Sequence, residues 1–341
     1  MNRTLVRKWK MAVVSFLMMV PLAWPTSSPG HPASTVGFSG EAQVVRANLL
    51  GTPIVLADTG PLPPSGGALE ASLLTASAGG VLTAEVLHAA TIGQGDRTRS
   101  EASVANLSLN AGGNAISGDF LMARVMVECT PSGPSVSGSS EIVNLVINGQ
   151  PVVVSGAPNQ QVTLPNGTIF INEQMTTTTQ QTGDITVNAL HIAITGVADV
   201  VISSAHADIS CFGNRQCSGH HDFVTGGGWI TGPTGAKANF GVAGGIRNKG
   251  FWGHLVYDYH GPGGPRVKGT GVTAYVVVNT TTRHIEGTAE VNGQAGFTYK
   301  VDVSDNGEPG TNDTFALTLS NGYAASGRLG GGNIQIHKPC Q

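Results

Sequence analysis

Between Phe38 and Cys211 the chain has no lysine, no tyrosine and no tryptophan. Its four arginines there stand against thirteen acidic residues, a net charge of −9. From Phe212 to Gln341 ten lysines and arginines meet eight acidic residues, a net of +2. Neither half has the basic stripe that phosphate neutralisation needs, so nucleic acid is excluded as a partner. Charged residues make up only 11% of the 341, too few for long solvated helices. The longest apolar run, Met11–Trp24, has 14 residues, short of the roughly 20 that a spanning helix takes, so no membrane span is expected. No G-x-S-x-G, H-E-x-x-H or P-loop pattern occurs, which removes the common local signatures of catalysis.

What is present begins with a leader. Arg3, Arg7, Lys8 and Lys10 precede the apolar run, and a polar, small-residue segment follows to Gly37. That order predicts a secretory signal peptide and linker over 1–37, and so an extracellular bacterial location. The four cysteines, Cys129, Cys211, Cys217 and Cys340, all lie beyond it. Four cysteines allow three pairings. Cys129–Cys211 with Cys217–Cys340 keeps each bond within one half of the chain and is the expected pair. The C-x5-C spacing of Cys211 and Cys217 matches no common zinc pattern.

Glycine is abundant, at 48 residues, and with low charge it favours tight turns between strands. The stretches SVANLSL (Ser103–Leu109), EIVNLVI (Glu141–Ile147) and NALHIAI (Asn188–Ile194) each place alternating aliphatics on one face. Each is followed by a turn and a second apolar strand, and Ala71–Thr91 is a weaker copy. Hairpins packed as a β-sandwich over 38–211 are the natural outcome. After a linker at 212–220, eight segments from Phe223 to His337 read as strands separated by Gly, Asn and Pro turns. An eight-stranded meander, closed as a barrel or folded as a sandwich, is expected over 221–341. All five tyrosines and both tryptophans beyond the leader fall in this second half. The fold class is therefore all-β, in two β domains.

The segments ADTGPLPPSGG (Ala57–Gly67), ASLL, SVANLSL, ITVNALHI and SAHADISC together resemble the bacterial choice-of-anchor P family of secreted proteins. FVTGGGWI, KANFG, SDNGEPGTNDTFALTLSNGY and GGNIQIH resemble a domain that follows that module in such proteins. The resemblance implies an extracellular location and no particular reaction. The sequence ends in HKPCQ, without the hydrophobic sorting tail that names the family, so attachment by that route is not expected.

Five places invite a site. Ser204, His206 and Asp208 suggest a triad, but alternate residues on one strand sit about 6–7 Å apart, beyond hydrogen-bond reach. A polar strand face is expected instead. Asp305, Glu308 and Asp313 lie within a ten-residue glycine-bent loop and are candidate calcium ligands. The competing expectation, and the preferred one, is a hairpin loop whose carboxylates bond its own backbone. His254, Asp258 and His260 share one strand face but span about 20 Å, too far for a single ion. His220, His221 and Asp222 are expected to be solvated linker residues. Trp229, Trp252, Tyr257 and Tyr259 offer a sugar-stacking platform, though large aromatics in a β domain more often fill its core.

The function expected from this is non-catalytic, structural or adhesive, at the cell exterior. A cell-surface component, an extracellular matrix or a glycan is the expected class of partner. The alternatives are a carbohydrate- or ligand-binding module, and a hydrolase using two carboxylates across a cleft.

Overall fold

The computed structural model describes residues 36–211, 221–247 and 250–338. The leader, Cys217 and Cys340 lie outside them. The chain is all-β, with twenty-one strands and no helix among the described residues. The first thirteen strands are β1 (Gly37–Leu49), β2 (Thr52–Asp58), β3 (Gly67–Ala78), β4 (Leu82–Gln94), β5 (Arg97–Ala111), β6 (Asn114–Thr130), β7 (Gly133–Val143), β8 (Val146–Ile147), β9 (Gln150–Pro151), β10 (Gln160–Leu164), β11 (Gly167–Thr178), β12 (Thr182–Ile194) and β13 (Ala198–Ser210). They form two antiparallel sheets, one in the order β10-β11-β12-β13-β1-β2 and one in the order β3-β4-β5-β6-β8-β9, with β7 also on β6.

The alternation of apolar and polar residues explains the sandwich. Val104, Leu107, Leu121 and Val127 from one sheet meet Val187, Leu190, Val200 and Ile202 from the other in a single core. Buried hydroxyls in this core are satisfied across the sheets: Thr98 Oγ1 donates to the Asp208 carbonyl at 2.8 Å and Ser100 Oγ to that of His206 at 2.6 Å. Three of the four repeat copies are true hairpins, β3–β4, β5–β6 and β12–β13. The fourth differs. EIVNLVI is broken at Asn144, whose φ is 54°, so Glu141–Val143 closes β7 and only Val146–Ile147 pairs on as β8.

The other eight strands are β14 (Phe223–Thr231), β15 (Lys237–Arg247), β16 (Gly250–Tyr259), β17 (Arg266–Val277), β18 (Thr282–Val291), β19 (Gln294–Ser304), β20 (Thr314–Leu319) and β21 (Ala324–His337). They follow one another round a closed barrel, sealed by β21 on β14. Asn292–Gly293, with φ of 52° and 76°, makes the two-residue turn that the sequence predicts between β18 and β19. The interior is filled rather than open: Phe240, Tyr257, Tyr299 and Phe315 are each 1% exposed or less. Phe240 and Phe315 stack at 4.0 Å between ring centroids.

Cys129, near the end of β6, is bonded to Cys211, just after β13, so the bridge ties one sheet of the sandwich to the other. It closes a loop of 82 residues, worth about 4–5 kcal/mol in the chain-entropy account. Replacing both cysteines by serine is expected to lower the unfolding free energy in urea by about that amount. Peptide mapping without reductant should recover the 129–211 pair, and a linked peptide joining Cys129 to any other cysteine would overturn it.

Candidate functional site between the sandwich and the barrel

The described residues form one compact unit, and its chemistry lies where the outer face of β3–β6 meets the barrel wall. Glycine permits the approach. A Cβ on Gly227 of β14 would stand 2.5 Å from Ser103 Oγ, and one on Gly241 of β15 would stand 2.8 Å from His88 Cβ. Real side chains there would hold the two surfaces apart.

Two β-bulges aim residues into this seam. On β4 the pairs Glu85–Ala105 and His88–Ser103 leave one extra residue in the strand, and on β5 the pairs Thr83–Ser108 and Glu85–Ala105 do the same. Val86 and Asn106 take φ of 45° and 47° at these points, an unusual conformation for a β-branched residue. Each bulge turns two successive side chains outward. Val86 and Ala105 pack on Val256 of the barrel, while Glu85 and Asn106 reach barrel polar groups.

Two polar clusters cross the seam. In the first, Glu70 Oε2 touches His254 Nδ1, His254 Nε2 lies 3.1 Å from His88 Nδ1, and His88 Nε2 lies 3.2 Å from Glu101 Oε1. His88 is fully buried and Glu101 is 5% exposed. A hydrogen bond at each of the three contacts requires three protons among four groups. In the second cluster, Glu85, Asp258 and His260 have ligand-type atoms within 4.8 Å of one another, the one such trio among the described residues. Arg266 stands among them, with Nε 2.8 Å from Asp258 Oδ2 and Nη2 3.3 Å from Glu85 Oε1. Its guanidinium already supplies positive charge to both carboxylates. Burial raises the pKa of Asp258, and Arg266 and His260 oppose that shift. The Asn106 and Asn239 amides approach His260 Nε2 at 3.2 and 3.0 Å.

Beside the first cluster is a cleft of about 380 Å³. Its floor is two adjacent rows of the sheet. One row holds Ile92, Arg99, Met126 and Ser137, and the next holds Ala90, Glu101, Arg124 and Ser139. The barrel lines it with Thr225, Asn333, Gln335 and His337, and the loop after β19 adds Glu308 and Pro309. Arg124 Nη1 donates to the Pro309 carbonyl at 3.0 Å. Arg99 Nε faces Met126 Sδ at 3.2 Å, and among the described residues the Arg99 guanidinium has no carboxylate partner. Burial depresses the Arg99 pKa, with Arg97 adding to the shift.

The sequence candidates fall out differently. Ser204, His206 and Asp208 do lie along one face of β13, and His206 Nε2 turns to Asp184 at 3.1 Å. Asp305, Glu308 and Asp313 share one loop, but their oxygens accept from the protein itself. Asp313 takes the backbone N–H groups of Asn306 and Ile334 at 2.7 and 2.9 Å, Asp305 takes those of Gly307 and Ile336, and Glu308 takes the Asn333 amide. His254 and His260 enter separate clusters, consistent with the span of the strand, yet Asp258 and His260 are joined by Glu85 from the sandwich. His220 lies outside the described residues. Asp222 is not a free linker group: Arg283 donates to it from Nε at 2.5 Å and Nη2 at 2.7 Å, and the Tyr275 hydroxyl at 2.5 Å. Tyr257 and Tyr259 are buried in the barrel core, Trp252 tilts on Phe223, and Trp229 lies under Lys237 Nζ, so the four make no open platform.

Glu70, Glu85, His88, Glu101 and Arg99 carry the seam and were not singled out by the sequence. The one local signal was the broken alternation of AEVLHA, where Glu85 and Val86 fall on the same side. No family model, no curated protein and no solved structure matches the chain.

Two expectations follow. Burial holds the His254 pKa below its ordinary 6.5, against the pull of Glu70. It holds His337 well below 6.5, helped by Arg99 and Arg97. The unfolded chain binds these protons near pH 6.5 and the native state does not, so stability is complete above that pH and falls as pH drops through it. Glu70 is desolvated, but its hydrogen bond to His254 and the charges of His254 and His88 bring its pKa below the usual value, which extends the loss to lower pH. Asp313, Asp258 and Glu141, raised by burial, act with the opposite sign, so the test is a difference: between pH 7 and pH 5 the melting temperature of the parent should lose ground relative to that of His337→Gln, and parallel profiles would refute this. Separately, burial raises Asp313 to about 6 against its two backbone donors. Asp313→Asn should cost about 1–3 kcal/mol in urea unfolding, because the amide orphans a buried N–H. Millimolar Ca²⁺ should leave the wild-type melt unmoved, and a rise abolished by the substitution would instead establish a calcium loop.

Proposed function

We propose that this chain is a non-catalytic β-rich protein of the bacterial cell exterior, secreted or surface-associated, with a structural or adhesive role. The observation that carries the reading is the seam. The histidines and carboxylates of the seam are engaged in holding the sandwich to the barrel, an arrangement suited to a rigid spacer or display unit. The basic and apolar leader supports the location, as does the Cys129–Cys211 bridge, since disulfides persist in oxidising compartments. The resemblance of Ala57–Gly67 and SAHADISC to choice-of-anchor P proteins points the same way.

A second reading, a ligand-binding module, is favoured by one feature, the cleft between sandwich and barrel that holds Arg99. Glu101 and Glu308 line this cleft from opposite walls, as the hydrolase reading would require. However, Glu101 is bonded to His88 and Glu308 to Asn333.

The test is direct. Expressed in a bacterial host with its leader, the protein should be recovered from the medium or be removable from intact cells by protease. A broad panel of glycosidic, ester and peptide substrates should give no turnover above buffer. Retention in the cytoplasm would sink the location, and turnover lost in Glu101→Gln or Glu308→Gln would sink the non-catalytic role.

A further inference from the structure

We infer that the cleft between the sandwich and the barrel binds a hydroxylated carboxylate of the uronic-acid type, with the carboxylate on the Arg99 guanidinium. This rests on the ligand-binding reading and names its ligand class.

The first argument is Arg99 itself. It sits on the cleft floor between Ile92 and Met126 in one cross-strand row, where apolar neighbours raise the value of any charge pairing. Its one hydrogen bond among the described residues runs from Nε to Met126 Sδ at 3.2 Å. Among the described residues its two terminal nitrogens are left without a hydrogen-bond acceptor. A planar fork of donors presented into a cavity matches a carboxylate in two parallel hydrogen bonds. Arg124, diagonal to Arg99 across β5 and β6, brings a second positive charge to the same floor.

The second argument is what surrounds that fork. Glu101 and Glu308 balance the two arginines, so the wall as a whole has no excess of positive charge. A doubly charged phosphate or sulfate would meet about twice the repulsion from these carboxylates that a single carboxylate on Arg99 does. The remaining polar groups are the His337 imidazole and a set of hydroxyls and amides: Ser100, Ser137, Ser139, Thr225, Gln335 and Asn333. The Asn333 Oδ1 atom is buried without a partner and the residue is 1% exposed. The serine and threonine hydroxyls of the lining both donate and accept, and ligand hydroxyls match them in kind. The volume, about 380 Å³, lies at the lower end of the range for small-molecule sites. One acid group, several hydroxyls and a ring-sized space together describe an acidic sugar.

The experiment is isothermal titration of the full-length protein with galacturonate and a short galacturonate oligomer. The matched neutral galactose oligomer, inorganic phosphate and an acidic tripeptide are the comparison arms. Binding is expected for the uronate forms only, weakening as salt rises. Arg99→Gln should weaken it tenfold or more, Arg99→Lys less, because the charge stays and the fork is lost. Ser139→Val, at the β7 end of the cleft floor, is a second variant whose fold does not depend on Arg99, and it should also weaken binding. Equal binding of the neutral oligomer, or preference for the tripeptide or phosphate, would overturn the uronate assignment while leaving a ligand-binding role. Uronate binding unchanged in Arg99→Gln and Ser139→Val would overturn the site. An absence of binding in every arm would remove the ligand-binding reading itself.

Discussion

The structure depends on one constraint, the close approach of the barrel wall to the sandwich over Gly227 and Gly241. At that distance His88 and His254 meet, and the buried run Glu70–His254–His88–Glu101 can form across two independently woven sheets. The glycines and the polar run are parts of one device. Were the surfaces held apart by a side chain, His88 and His254 would lose each other while staying poorly hydrated, and unpaired buried polar groups are expensive. In a low-dielectric seam a buried run of this kind is correspondingly specific about register.

The bulges on β4 and β5 connect local conformation to this seam. A regular strand turns alternate residues to each face, so it offers the barrel either an apolar contact or a polar one at a given point. By inserting one residue in each strand, the sheet presents Val86 beside Glu85 and Ala105 beside Asn106. The apolar member packs on Val256 and the polar member meets His260 or Arg266. The left-handed backbone at Val86 costs something locally, and contacts from both sides hold it. The offsets of the two bulges cancel, so pairing resumes in register at His88 and Ser103.

The cleft follows from the same geometry. Sheet and barrel touch along β3–β5 and β14–β16, where Gly227 and Gly241 let them close. They part beside this seam, over the stretch that holds Arg99, Arg124 and the loop carrying Glu308, and meet again where the Gly332 N–H of β21 donates to Glu141 Oε2 of β7 at 3.1 Å. What is left between them is a cleft of charged and polar groups set in an apolar frame, partly shielded from water and lined from both sides.

Much of the architecture was legible in the sequence for physical reasons. Period-2 alternation and asparagine–glycine turns marked the eight barrel strands, and paired aliphatic runs marked three hairpins of the sandwich. Period and turn chemistry act within a few residues, so a linear reading captures them. It failed at EIVNLVI, where one left-handed asparagine divides an apolar run that alternation alone treats as continuous. The pairing of Cys129 with Cys211 was also readable, because both belong to the segment that forms one core. The seam was not. His88 in an apolar run looks like any core histidine, Glu85 and Asp258 are 173 positions apart in number, and nothing local says that they meet. Sequence by itself determined the class of fold, the strands and the polar faces, since these depend on short-range backbone preference and hydrophobic period. Only the tertiary structure decided which polar faces are buried against each other, because that depends on how closely two finished sheets approach, and here glycine backbone sets the distance.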